Sequence, residues 1–151
     1  MGKVKTDEEI LEFAIFREIE AHNFFLALAD RVKEPQMREV FEDLAAEELE
    51  HKAKLELEIL KTGKTVSIEQ QSPRPASEYI ISDDPSQLDI DYKDALLLGM
   101  EKEEASFRIY VNLIPNVHNE QSREILLALA QEEVKHKLRF ETEYNMLINK
   151  S

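Results

Sequence analysis

Glu48 and His51, and again Glu133 and His136, stand three positions apart. A further glutamate lies thirty positions upstream of each pair, Glu18 before Glu48 and Glu103 before Glu133, so the whole set recurs at an offset of 85 residues. An i, i+3 spacing on a helix leaves two side chains about 60° apart, on one face. A single Glu-x-x-His, in a chain where about one residue in six is Glu, is ordinarily a surface pair. Two of them at a fixed offset, each with its upstream partner, make a set of four carboxylates and two imidazoles that could hold two metal ions between helices.

The surroundings of these residues carry as much weight as their spacing. Leu11 and Phe25 flank Glu18 on one helical stripe, and Phe41 and Leu55 flank Glu48. An ionised carboxylate on an apolar stripe is costly unless it is paired or coordinates a cation. Oxygen donors with two imidazoles favour iron first and manganese second, and zinc is a substitute that the same donors accept.

Four helices must position this set. Thr6 with Glu9 forms a capping box, and the stripe Leu11, Ala14, Glu18, Ala21, Phe25, Val32 predicts a helix over about 7–33. Pro35 suits a first helical turn, and Met37, Phe41, Leu44, Glu48, His51, Leu55 and Ile59 predict a second helix over about 36–61, before Gly63. Periodicity fails over about 63–88, where Pro73, Pro75 and Pro85 fall. An extended segment of that length, at about 3.3 Å per residue, can run the full length of a helix. A third helix is expected over about 89–114, capped by Asp89 or Asp91 and carrying Leu96, Gly99, Glu103, Ser106 and Tyr110 until Pro115. A fourth, over about 119–148, carries Leu126, Leu129, Glu133, His136 and Phe140. Short connections within each half and a long one between halves predict an all-α, single-crossover four-helix bundle, up-down-down-up, formed by residues 1–151 as one domain.

Composition narrows the partners. The formal net charge of −13 opposes binding to nucleic acid and to anionic membrane surfaces. There is no Cys, so thiolate nucleophiles and Cys-held metals are excluded. The first residues lack the apolar run of a signal peptide and no stretch is apolar enough for a membrane span, which leads us to expect a cytoplasmic protein.

The residues that recur in the two halves carry a family likeness. Arg17-Glu18 with Phe25, Leu44-Ala45 with Glu48 and His51, Lys102-Glu103 with Tyr110, and Leu129-Ala130 with Glu133 and His136 resemble a rubrerythrin-type member of the ferritin-like di-iron carboxylate superfamily. The resemblance spans all four helices and implies a ferritin-like bundle with two irons. It implies that Glu48 and Glu133 bridge the metals, while Glu18 with His51, and Glu103 with His136, complete the outer positions. Tyr110 is the candidate catalytic residue, to hydrogen-bond a ligand carboxylate or pass an electron, with an ordinary packed Tyr as the alternative. The implied activity is a di-iron or di-manganese oxidoreductase acting on peroxide, O₂ or Fe(II), and the alternative is a non-catalytic iron-binding, storage or delivery protein. A homodimer or larger homo-oligomer is expected.

Three departures from the family pattern stand out. Rubrerythrins proper carry a Cys-rich rubredoxin domain, so electrons here would come from an external donor protein. The family's additional glutamate, three positions after the third-helix ligand, is replaced by Ser106, leaving Glu101 and Glu104 as the neighbouring carboxylates. Phe25 stands where a Tyr is usual. Among the other residues, His22 lies one turn beyond Glu18, and His118 in the turn before the fourth helix receives no role. Phe13, Phe16 and Phe24 give the first helix a second apolar side, suited to a subunit interface or to contact with the linker.

Overall fold

A computed structural model describes residues 6–61 and 91–149. They form α1 (Asp7–Arg31), α2 (Pro35–Lys61), α3 (Tyr92–Leu113) and α4 (Glu120–Asn149), with a single 3₁₀ turn at Ile114–Asn116. The expected connection over 63–88 lies outside the described residues.

Local chemistry accounts for the helix ends. Thr6 accepts from the Glu9 amide while Glu9 accepts from the Thr6 amide, both at 3.1 Å, completing the capping box. Asp7, Glu8 and Glu9 then place negative charge in the first turn, where the helix dipole favours it. Pro35 opens α2 at a position that needs no amide hydrogen. Of the two aspartates expected to start α3, Asp91 is the cap, accepting from the Lys93 amide, and the helix begins at Tyr92. Pro115 sits in the 3₁₀ turn that ends it.

Contacts between helix ends set the directions. At one end of the bundle the Asp7 carboxylate accepts from the amides of His118 and Asn119, at 2.9 and 2.8 Å, just ahead of α4. At the same end Ser122 of α4 donates to Glu58, near the end of α2, at 3.0 Å. At the opposite end the start of α3 meets the start of α2, with the Tyr92 ring edge-on to Phe41 at 6.0 Å. Tyr92 also donates its hydroxyl to Glu143, late in α4. Thus α1 and α4 run one way and α2 and α3 the other, and the protein is a ferritin-like up-down-down-up four-helix bundle.

The interior is layered along the bundle axis. Phe25, Leu28, Val32, Phe41, Leu44, Tyr92, Leu96 and Phe140 fill one apolar layer. Ile10, Leu11, Ile15, Leu55, Ile59, Tyr110, Val117, Leu126 and Leu129 fill the other. Between the two lie Glu18, Glu48, His51, Glu103, Glu133 and His136, all buried. The first layer is built around the Phe140 ring, stacked 5.8 Å from Phe41 and tilted 6.0 Å from Phe25. That ring lies so close to α3 that a Cβ on Gly99 would sit 2.9 Å from it.

Gly99→Ala therefore tests whether packing or helix propensity governs α3. Alanine gains about 1 kcal/mol of intrinsic helix propensity over glycine, while overpacking a rigid, fully buried ring costs about 1–3 kcal/mol. We expect a net loss of stability in urea unfolding, and a favourable coupling with Phe140→Leu in a double-mutant cycle.

Candidate metal centre

The six residues converge because the periodicities of the four helices agree at one height of the bundle. Two overlapping groups form, in each of which one donor atom from every residue lies within 4.8 Å of the others. Glu18, Glu48, His51 and Glu133 make one group, and Glu48, Glu103, Glu133 and His136 the other. Glu48 and Glu133 belong to both. The structure thus groups Glu18 with His51, and Glu103 with His136.

Both imidazoles turn Nδ1 towards the carboxylates. His51 Nδ1 lies 3.2 Å from Glu18, 3.4 Å from Glu133 and 3.8 Å from Glu48. His136 Nδ1 lies 3.5 Å from Glu103 and 3.6 Å from Glu48. The two rings are nearly parallel, with centroids 6.0 Å apart and planes 7° apart. Tyr110, fully buried, donates its hydroxyl to Glu18.

Unsatisfied polar atoms test whether a cation fits. Both carboxylate oxygens of Glu48, Glu103 and Glu133, and both ring nitrogens of His136, are buried without a hydrogen-bond partner. Buried polar groups are ordinarily paired, and an orphaned one costs free energy. So many orphaned atoms in one layer, all of them acceptors or potential acceptors, and all shielded from water, match the needs of two divalent cations. The donor set suits iron or manganese and does not discriminate between them.

The electrostatics of the metal-free cluster point the same way. Burial, reinforced by the charges of Glu18 and Glu133, holds the Glu48 carboxyl well above its ordinary range. Burial and the neighbouring Glu103 do the same to Glu133. Glu103 is pushed up to about 7, mainly by burial, with the Glu18 charge adding to it. Glu18 moves the other way: burial favours its neutral form, but hydrogen bonds from His51 and Tyr110 help to outweigh this and hold it low. Burial would lower His51, but the adjacent carboxylates of Glu133 and Glu18 outweigh it and raise it to about 9. Burial and the Glu18 charge push the Tyr110 hydroxyl well up.

The neighbouring candidates fall outside the cluster. His22 donates through Nδ1 to the Ala45 carbonyl at 2.8 Å, tying α1 to α2. Glu101 is exposed, and Glu104 pairs with Lys137 at 3.4 Å and Arg108 at 3.6 Å. Ser106 is buried one turn beyond Glu103. Of the second apolar side of α1, Phe13, Phe16 and Phe24 are half-buried, and the Lys102 ammonium covers the Phe24 ring at 5.5 Å. Sequence reasoning missed Glu47, whose carboxylate lies 2.5 Å from His136 Nε2, out of line for a hydrogen bond. Glu47 is charged, half-exposed and one residue off the apolar stripe, so no periodic signal marks it. A groove of about 520 Å³, lined by Val32, Met37, Tyr92 and Leu147 among others, lies at one end of the bundle, away from this layer.

A pH titration of metal-free protein tests these assignments. Glu48, Glu103 and Glu133 keep their protons in the folded state above the ordinary 4.5, so the folded protein binds more protons than the unfolded chain there. The stability this represents is present below 4.5 and is lost as pH rises, through about 7 for Glu103. His51 acts in the same direction, its contribution fully present below 6.5 and lost through about 9. Within the cluster Glu18 alone opposes, contributing stability above 4.5. We expect the urea midpoint of chelator-treated protein to fall between pH 5 and 9, and saturating Mn(II) to abolish the fall.

Comparison with known proteins agrees with this geometry. The family model described as Rubrerythrin matches residues 9–144. A "hypothetical protein" from Pyrococcus furiosus is similar in structure at a TM-score of 0.70 and 28% identity, over 95% of this chain and 91% of that one. A Thermotoga maritima protein described as a ferritin-like diiron-carboxylate protein shares the fold at a TM-score of 0.67 and 17% identity, over 96% and 98% of the two chains. An Anabaena variabilis protein with a DJ-1/ThiJ/PfpI-like and a ferritin-like domain shares it at 0.74 and 13% identity, over 97% of this chain and 39% of its own length. No curated protein matches the chain.

Proposed function

The chain belongs to the rubrerythrin family, and on that premise we propose that it is a di-iron oxidoreductase acting on peroxide, O₂ or Fe(II). The observation that carries this reading is the pair of overlapping donor groups, buried, sharing Glu48 and Glu133, and left with orphaned oxygen and nitrogen atoms. In this reading Glu48 and Glu133 would be shared between two metals, Glu18 and His51 would complete one position, and Glu103 and His136 would complete the other. Manganese is the second choice of metal. When bound, such a pair would supply two one-electron equivalents to a small oxidant.

The residues of the chain contribute the rest. Four carboxylates offset the charge of two divalent cations, so the loaded layer is close to neutral inside its apolar walls. The two apolar layers exclude water from either end, which strengthens each electrostatic contact between them. Tyr110 fixes the orientation of Glu18 through its hydroxyl, and in our reading it is the candidate to pass an electron into the site. For any reducing equivalents the reaction needs, the source we propose is an external donor protein. We further read the 151 residues as one ferritin-like domain, acting in the cytoplasm as a homodimer or larger homo-oligomer. None of the described helices is long and apolar enough to cross a membrane.

Stopped-flow mixing of iron-loaded protein with peroxide, and separately with O₂, should change the di-iron absorption within the mixing experiment. Glu48→Ala with Glu133→Ala should abolish the binding of two irons per chain. A loaded protein inert to both oxidants would sink the redox reading and leave the alternative, an iron-binding, storage or delivery protein.

A further inference from the structure

The two halves that repeat in sequence are unequal in the folded protein. Glu18 is held on both oxygens, one by the Tyr110 hydroxyl and the other by His51 Nδ1 at 3.2 Å. Its counterpart Glu103 has no hydrogen-bond partner on either oxygen. The residue answering Tyr110 in the first half is Phe25, which has no hydroxyl to offer and packs against Phe140. Around the imidazoles the inequality runs the other way. His136 Nε2 lies 2.5 Å from Glu47, a carboxylate 44% exposed to solvent. Glu132, which answers Glu47, turns instead to Lys135 at 3.5 Å.

These differences act on cation binding in opposite senses, and their burial decides the balance. Of the two contacts on Glu18 only that from the Tyr110 hydroxyl can remain once His51 itself takes a cation, and a carboxylate fixed in this way loses less freedom, which favours its position. A carboxylate 2.5 Å from the far ring nitrogen adds negative charge that attracts a cation and would favour the other position. The Tyr110 contact, however, is wholly buried, whereas Glu47 is nearly half in water, where screening weakens it. With both ends of the bundle closed by apolar layers, Glu47 and His136 form a chain of donors from the surface into the buried layer, running between the helices.

We propose that the two cation positions differ by construction: the Glu18–His51 position is the tight one, held by Tyr110, and the Glu103–His136 position is the exchangeable one, reached from solvent through Glu47. The proposal rests on the dinuclear reading above and goes beyond it in assigning Glu47 a part in cation traffic and Tyr110 a part in retention.

Co(II)-loaded protein mixed with an excess of chelator tests it without any turnover. Two cations this close repel, so two phases of release would not by themselves discriminate; the variants do. Release should be biphasic with one Co(II) per phase. Tyr110→Phe should speed the slow phase about tenfold and leave the fast phase alone. Glu47→Gln, a surface change with little effect on folding, should slow the fast phase several-fold and leave the slow phase alone. Equal action of either variant on both phases, or action on the opposite phase, overturns the inequality while leaving the dinuclear reading intact. Saturation of the starting protein at fewer than two Co(II) per chain overturns the dinuclear reading itself.

Discussion

Four glutamates in a layer that water does not reach constrain everything else in this protein. Their charges cannot be dispersed by solvent, so they must be neutralised by protons, by histidine or by cations. The metal-free chain uses the first two, with carboxyls held protonated above their ordinary range and His51 held charged. The arrangement is thus poised: each proton that leaves makes room for positive charge of another kind. The apolar layers on either side supply the stability that lets such a costly layer exist, much as hydrophobic burial elsewhere supports strained functional sites.

The same constraint explains the topology. Two hairpins carrying the same ligand spacing can present four carboxylates to one point only if they face each other about an approximate twofold axis. Helices α2 and α3 must then run parallel, which requires a long connection between them. At the end where α1 starts, Asp7 reaches the amides before α4 and locks the first hairpin to the second. Burial alone would raise the Asp7 carboxyl, but hydrogen bonds from His118 and Asn119 outweigh it and keep it low. The contact therefore stays charged near neutral pH.

Much of this was legible from the residues, because helical periodicity reports which face is buried. Glu18, Glu48, Glu103 and Glu133 could be recognised as interior groups since each interrupts an apolar stripe, and the repeat at a fixed offset pointed to a shared centre. Tyr110 could be suspected of touching a ligand, but that its partner is Glu18, 92 residues away, follows only from how the hairpins meet. Other features left no trace in the pattern. Asp89 and Asp91 are equally good caps for α3, and backbone geometry chose Asp91. Glu47 sits beside the stripe like any surface glutamate, and its contact with His136 depends on the crossing of α2 and α4. Glu58 reads as one more charge on a charged helix, yet it is buried and accepts from Ser122.

The close fit of Gly99 beneath the Phe140 ring also bears on how such a chain can drift over generations. While the ring is in place, a methyl group on the glycine must displace it at a cost in stability, and once the methyl group is present the ring is the poorer fit. The two positions behave as a ratchet, in which the order of replacement matters: the helix gains its methyl at least cost after the aromatic has shrunk. Lineages that passed through that order would be separated from this one by a step that is hard to reverse.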